Sequence, residues 1–392
     1  MSTPERPPRV LMVSHYYPPH LGGIENVARQ EARHLAAAGA EVTVLTSADR
    51  SSVRDEDGVR VVRIAAWNGA ERAGVPFPVL SPRVLTAAFR HARRADVVHI
   101  HDCLYLTSWA AGLAAVLTRT PHVLTQHVAL VAHPSALVRA VQHAVYAVAG
   151  RALLRRARRV ITLNASVADF AVRGGARPDR LRHLANGVDT VLFRPAAAPG
   201  ERAAARTRLG LPQDRVLALF AGRLVPKKGH DLLLAAHRPE DGYDLVFAGD
   251  GDVRALAGRP GVHGLGTLSP EDLADAYRAC DLFVLPSTAE GFPLTVQEAM
   301  ASGLPVITTD DPGYAPYRLD RSSVRLLPRD PGQLGDALAE LAADPALRAR
   351  MGGYSRQYAA DAFSWHRHTT ALTEHYRGRD GHEHVQHEQA HA

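Results

Sequence analysis

In the segment FAGRLVPKKGHDLLLAA (220–236), Arg223 follows an apolar run directly and Lys228 precedes a glycine that leads into a helical pattern. A guanidinium fork with an ammonium five residues later is a cation pair suited to a diphosphate. The pair stands out because Lys227 and Lys228 are the only lysines among 46 basic residues. A second stretch, AEGFPLTVQEAMASGLPVITTD (289–310), carries Glu290 just before a helical pattern and Glu298 inside it. Gly291 allows a tight backbone, Pro293 suits the first helical turn, and Gly303 and Pro305 end the helix. Backbone amides at such a helix start, with the positive end of its dipole, favour an anion. The two carboxylates beside it then need another task, and gripping hydroxyl groups is one.

Two further clusters follow apolar runs. HYYPPHLGGIEN (15–26) places Gly22 and Gly23 before a helix, where the backbone can approach a ligand closely. TQHVALVAHP (125–134) ends a strand pattern at His127. AGDGD (248–252) contains Asp250 and Asp252, an Asp-x-Asp pattern that can hold a divalent cation. It sits in a Gly-rich turn, where aspartate serves the backbone, and Arg223 and Lys228 already supply positive charge. No metal is therefore expected. The P-loop and the G-x-S-x-G elbow are both absent from the sequence.

The elements that must position these residues alternate between strand and helix patterns. RVLMVS (9–14), EVTVLTS, VRVVRIA, DVVHIH (96–101), HVLTQH (122–127) and RVITLN (159–164) read as strands, with helices between most of them. After the Ala/Pro/Gly-rich connector 194–206 the pattern restarts with RVLALFAG, YDLVFAGDG, VHGLG, LFVLPS and PVITTD. This predicts an α/β chain with two doubly wound parallel sheets, joined near residue 195 and facing across a cleft. Each sheet should present its ligand-binding loops at the carboxyl ends of its strands. At 392 residues, 46% hydrophobic and 22% charged, the chain has the composition of a globular protein with two sizeable cores. Two cysteines give no disulfide framework and fit a reducing cytosol. The net charge of +6 suggests anionic partners, but the arginines are dispersed and no aromatic-basic module marks a nucleic-acid binder. The His-rich stretch 379–392 reads as a disordered, solvated tail.

Taken together, PPHLGGIE, NGVD (186–189), AGRLVPKKG, GDG (249–251) and above all EGFPLTVQEAMASGLPVI resemble the GT-B retaining glycosyltransferases of family 4. The resemblance covers the chain to about residue 378. It implies an N-terminal, acceptor-side Rossmann-like domain over 1–194, with the helix at about 364–378 packing back on it. A nucleotide-sugar-binding domain would then occupy 195–363. Residue by residue, it implies that Arg223 and Lys228 bind the donor diphosphate. Glu290 would hold donor-sugar hydroxyls and Glu298 the ribose hydroxyls, with Gly291, Phe292, Pro293 and Leu294 lining phosphates and sugar. Gly22 and Gly23 match the loop that closes over the diphosphate, His127 a histidine near the reacting sugar, and Gly266 and Thr267 the loop that reads the base. The implied reaction moves a hexose-type sugar from a nucleoside-diphosphate sugar to a hydroxyl acceptor with retention, without metal or cofactor. The chain departs from the family over TTDDPGYAPYRLDRSS (308–323), where Gly-Gly and a nearby Glu are common in the family.

The acceptor stays open between a lipid-linked or cell-envelope glycan and a small soluble metabolite. The basic, amphipathic segment 136–159 suits either contact with an anionic membrane or a core-packed helix with solvated arginines. A cytoplasmic location, with possible peripheral attachment to the inner face of the membrane, is the corresponding expectation. Two competing functions are a nucleotide-sugar 2-epimerase and a non-catalytic nucleotide-sugar binder.

Overall fold

The computed structural model describes residues 6–20, 23–67, 79–129, 136–252, 254, 256–288 and 291–378. Gly22, Glu290 and the tail 379–392 lie outside the described residues. The chain divides into two compact units, Met1–Gly187 with Trp365–Ala392, and Val188–Ser364. The first boundary thus falls upstream of the Ala/Pro/Gly-rich connector.

The first unit begins β1 (Arg9–Val13), α1 (Gly23–Ala37), β2 (Glu41–Ala48), β3 (Ser52–Glu56), β4 (Val59–Trp67) and β5 (Val79–Leu80). It continues α2 (Arg83–Ala92), β6 (Val97–His101), α3 (Leu106–Thr118) and β7 (His122–Gln126). Then come α4 (Ala136–Val145), α5 (Arg151–Arg156), β8 (Arg159–Thr162), α6 (Ala165–Arg173) and β9 (Leu181–His183). Its sheet runs β3-β4-β2-β1-β6-β7-β8-β9, with β5 paired to β4. Pairing is parallel except β3–β4 and β4–β5. Side chains alternate between the faces with the strand period of two. Leu11, Val13, Val98, Ile100, Leu124 and Val160 pack one way. Val10, Met12, Val97, Val123 and Ile161 pack the other way, against α1 and the last helix.

The second unit carries α7 (Pro199–Arg208), β10 (Val216–Ala221), α8 (His230–Ala236), β11 (Tyr243–Ala248), β12 (Val262–Gly266) and α9 (Pro270–Ala279). After them come β13 (Leu282–Leu285), α10 (Leu294–Ala301), β14 (Val306–Thr309), β15 (Arg325–Leu327), α11 (Pro331–Ala343) and α12 (Pro345–Ala362). Its all-parallel sheet runs β12-β11-β10-β13-β14-β15. The last helix, α13 (Trp365–Arg377), belongs to the first unit. It buries Trp365, His368, Thr369, Leu372, His375 and Tyr376, the three-four spacing of one helical face.

In both units the strand order reverses beside the first strand: β1 lies between β2 and β6, and β10 between β11 and β13. Such switch points leave a crevice at the carboxyl ends of the strands. Register sets which residues share that edge. Val13 pairs with Ile100, and His101 with Thr125, so His15, Asp102 and His127 leave the sheet at one level. Ala221 pairs with Ala248 and Leu219 with Phe283, which brings the loops after β10, β11 and β13 together.

The basic, amphipathic segment 136–159 is α4, a π-helical turn over Tyr146–Gly150 and α5, running up to the strand read at 159–164, which is β8. Gln142, Tyr146, Gly150, Leu153 and Leu154 are buried, while Arg139, Arg151, Arg155 and Arg156 are exposed. Among the described residues no helix is long and apolar enough to cross a membrane.

Candidate active site

In the second unit, β10 delivers Gly222 and Arg223 to the carboxyl edge. The Leu224 amide donates to the Asp250 carbonyl at 2.7 Å, so this loop and the turn after β11 lie side by side. Arg223 is exposed and its guanidinium reaches solvent. One 3-10 turn over Pro226–Lys228 follows, closed by Gly229 at φ +78°. A side chain at Gly229 would place its Cβ 2.3 Å from the Pro286 carbonyl oxygen, so only glycine fits. The Thr288 amide donates to the Lys227 carbonyl at 2.9 Å. The lysine loop is thus stitched to the segment that runs toward Glu290. Lys228 is half-buried, with its stem over Gly222, and Lys227 is exposed.

Pro293 is the N-cap of α10, with ψ 132°, and not a first-turn residue as expected. Its extended backbone turns the chain into the helix, which puts Glu298 on the second turn. Glu298 is half-buried, and its Oε2 accepts a hydrogen bond from the Tyr277 hydroxyl of α9 at 2.9 Å. Burial pushes the carboxyl up to about 7, with the Tyr277 bond acting the other way. The Phe292 side chain is buried, stacked on Tyr317 at 4.1 Å and packed edge-on to Tyr314. Its ring is core, so only its backbone can meet a ligand. Leu294 is half-buried at the helix start. Gly266, at φ +68°, ends β12 and accepts from the Gly249 amide at 2.7 Å, and Thr267 beyond it is exposed.

Asp250 and Asp252 are exposed. Asp252 is paired with Arg254 at 2.8 Å, which holds its carboxyl below the usual range. A Cβ at Gly249 would lie 2.0 Å from the Gly222 carbonyl oxygen, so the glycine pattern of this turn answers to backbone packing.

In the first unit Gly23 begins α1. His127 is buried, and its Nε2 lies 2.9 Å from His101 Nδ1. The His127 amide donates to Asp102 Oδ1 at 3.0 Å. Asp102 holds φ +58°, and burial pushes its carboxyl up to about 7. His15, also at this edge, stacks on Tyr105 at 4.5 Å and is pushed down to about 3 by burial. Residue spacing alone did not reveal Tyr277, Asp102, His101 or Glu31. The one signal for the histidines was HIH at 99–101, since residues two apart on a strand share a face.

Comparison with known proteins decides what these two sheets belong to. Residues 22–187 match the glycosyl transferase 4-like domain family and residues 201–358 the glycosyl transferases group 1 family. The D-inositol 3-phosphate glycosyltransferase of Streptomyces avermitilis is 32% identical over 412 residues, covering 95% of this chain and 88% of that protein. The chain is a GT-B glycosyltransferase of the family 4 type. A glycosyltransferase of the same name from Mycobacterium tuberculosis (strain ATCC 25177 / H37Ra) is also 32% identical, over 91% of this chain and 78% of that one. Among solved structures, the sucrose-phosphate synthase of Thermosynechococcus elongatus shares the fold at TM-score 0.75 and 23% identity, covering 94% and 98% of the two chains. Anabaena HepE, solved with UDP-glucose, superposes at TM-score 0.72 and 20% identity over 94% and 98%. This glycosyltransferase therefore moves a sugar from a nucleotide sugar, and both of its Rossmann-like sheets are those of the GT-B fold.

Proposed function

We propose that this glycosyltransferase transfers a hexose-type sugar, with retention, from a nucleoside-diphosphate sugar to a hydroxyl acceptor. The observation that carries the reading is the joined loop system at the carboxyl edge of the second sheet. There the loop carrying Lys228 is fixed by Gly229 packed on the Pro286 carbonyl and by the Thr288 amide on the Lys227 carbonyl, beside the chain that enters α10. In this reading Arg223 and Lys228 neutralise the leaving diphosphate, which makes its departure easier. The amides of Gly291 and Phe292 assist, Glu298 accepts from ribose hydroxyls, Glu290 holds the donor sugar, and Gly266 and Thr267 flank the base. Gly22 and Gly23 close over the diphosphate and the acceptor side, and His127 acts near the reacting sugar. A diphosphate donor accords with the UDP-glucose bound by HepE. Two cationic side chains supply the charge that a divalent ion supplies in other transferases, so no metal is required.

The relatives named D-inositol 3-phosphate glycosyltransferases favour a small polyol or its phosphate as acceptor over a lipid-linked glycan. Screening nucleoside-diphosphate sugars by hydrolysis and thermal shift identifies the donor. Transfer to inositol phosphates or to lipid-linked acceptors, with the product anomer read by NMR, then tests the reaction. Inversion at the anomeric carbon refutes retention. Donor conversion to its 2-epimer without acceptor points instead to an epimerase, and absence of turnover with every acceptor points to a binding protein. Co-sedimentation with anionic vesicles tests whether the exposed arginines of 139–156 meet a membrane.

A further inference from the structure

Arg119, Arg156, Arg158, Arg159 and Arg180, drawn from three segments of the chain, line one cavity of about 580 Å³ in the first unit. It lies at the amino edge of the sheet, where His122 opens β7 and Arg159 opens β8. Five residue steps along β7, about 16 Å, separate this edge from His127 at the carboxyl edge. Arg119 follows the last residue of α3, Arg156 is the last residue of α5, and Arg180 precedes β9. Ala115, Val116 and Pro121 supply an apolar wall.

The guanidiniums are placed by groups that do not neutralise them. Arg158 Nη1 donates to the Tyr376 carbonyl at 2.8 Å, Arg180 Nη1 to the Ala157 carbonyl at 2.9 Å, and Arg159 Nη1 to the Arg158 carbonyl at 3.1 Å. Among the described residues no carboxylate lines the cavity, and none pairs with Arg119, Arg156, Arg158 or Arg180. Asp179, next to Arg180 in the chain, is paired instead with Arg177 at 3.0 Å. Burial lowers the Arg158 guanidinium from its ordinary value, and the charge of Arg159 acts in the same direction. The carboxyl ends of α3 and α5 each present about half a negative charge here, which offsets roughly one of the four charges without a carboxylate and leaves about three.

We propose that this cavity binds a phosphate-bearing anion with two or more negative charges, at a site separate from the donor loops. Planar guanidiniums present paired N–H groups to phosphate oxygens, and several forks around one space suit a group that offers oxygens in every direction. A single carboxylate would occupy one fork and leave the other charges uncompensated. The volume is that of a small-molecule site. Two sources carry this chemistry. One is a soluble phosphate ester or diphosphate. The other is the headgroup of an anionic phospholipid, because Leu113, Val116 and Leu117 on the adjoining face of α3 are 52%, 50% and 63% exposed and would meet its apolar part.

The test is calorimetric titration of the full-length protein with inorganic pyrophosphate, for which the donor loops offer a second anion site. Arg223→Ala/Lys228→Ala removes that second contribution, and binding at the cavity should persist in this background. Adding Arg119→Gln and Arg156→Gln, both exposed side chains, should weaken the remaining binding by about 10-fold or more. Arg54→Gln/Arg60→Gln serves as a control of equal charge, on β3 and β4 at least four strands or about 19 Å from β7. At that distance the charges are screened, so affinity should stay within about 2-fold. Sedimentation with phosphatidylglycerol and phosphatidylcholine vesicles separates the sources. Capture by phosphatidylglycerol alone, lost in Arg119→Gln/Arg156→Gln, assigns a lipid headgroup, and pyrophosphate binding without capture assigns a soluble ligand. The proposal is overturned if pyrophosphate binding vanishes in Arg223→Ala/Lys228→Ala, if the cavity pair and the control pair lose affinity equally, or if neither pyrophosphate nor vesicles bind.

Discussion

Replacing Glu298 with glutamine should stabilise the fold while weakening its ligand. Burial raises the Glu298 carboxyl from its ordinary 4.5 to about 7. The folded state thus holds a proton that the unfolded chain releases, so this group's stability contribution is present below pH 4.5 and lost as pH rises toward 7. At about 1.4 kcal/mol per pH unit, the rise corresponds to an upper bound of about 3 kcal/mol lost above pH 7. Partial exposure screens the charge, and about 1–2 kcal/mol is expected. Glutamine keeps the volume and an oxygen for the Tyr277 hydroxyl but never ionises. In chemical denaturation, Glu298→Gln should match wild type near pH 4.5, gain stability through pH 7 and run parallel above it. Calorimetry with the nucleoside diphosphate should show the opposite sign. A carboxylate accepting from ribose hydroxyls contributes about 1.5–3 kcal/mol per charged hydrogen bond, so affinity should fall by about 10-fold or more. Wild-type affinity should likewise fall as pH drops below about 7. A variant less stable than wild type at pH 8, or one with unchanged nucleotide affinity, would refute the reasoning.

Four further outcomes are expected. Tyr277→Phe removes the bond that lowers the Glu298 carboxyl, so the pH midpoint for nucleotide binding should move up; a downward or absent shift in a calorimetric pH series would contradict it. Lys228→Ala should reduce kcat/KM by about 100-fold, whereas Lys227→Ala should be mild because Lys227 reaches Thr288 through its backbone carbonyl; steady-state kinetics with the reverse order would put the phosphate contact one residue away. Glu290→Gln should lower transfer while leaving nucleoside-diphosphate affinity nearly unchanged by calorimetry, and a loss equal to that of Glu298→Gln would show that the two carboxylates do not divide sugar from ribose. Transfer should continue in EDTA, and activity abolished by EDTA but restored by Mn²⁺ would overturn metal independence.

What the sequence revealed depended on how local each feature is. Both parallel sheets were legible because their central strands are short apolar runs buried on both faces. β3 was missed because SVRDE is an edge strand with mostly exposed polar side chains, and β9 and β15 because three residues carry no period. The basic, amphipathic character of 136–159 was legible, but the π-helical turn over Tyr146–Gly150 that separates α4 from α5 was not. Arg223, Lys228 and Glu298 were singled out because Arg223 follows a strand, Lys228 precedes the glycine that leads into a helix and Glu298 follows a helix start. Tyr277 was not, because it reaches Glu298 from another helix. Glu31, His101, His127 and His368 meet only through the sheet register and the return of α13, so no spacing along the chain announces them.

The two units meet opposite electrostatic demands, and their residues differ accordingly. A leaving diphosphate is eased by fixed positive charge, and on the proposed reading Arg223 and Lys228 supply it from loops where neither side chain is fully buried. A hydroxyl that must pass near a reacting sugar needs an acceptor without charge, since an imidazolium would repel the positive charge that develops on that sugar. On the proposed reading His127 meets this need, since burial pushes it down to about 3 and keeps it neutral. Behind His127, Glu31 of α1 and His368 of α13 meet at 2.8 Å, so helices far apart in the chain line the buried side of this edge.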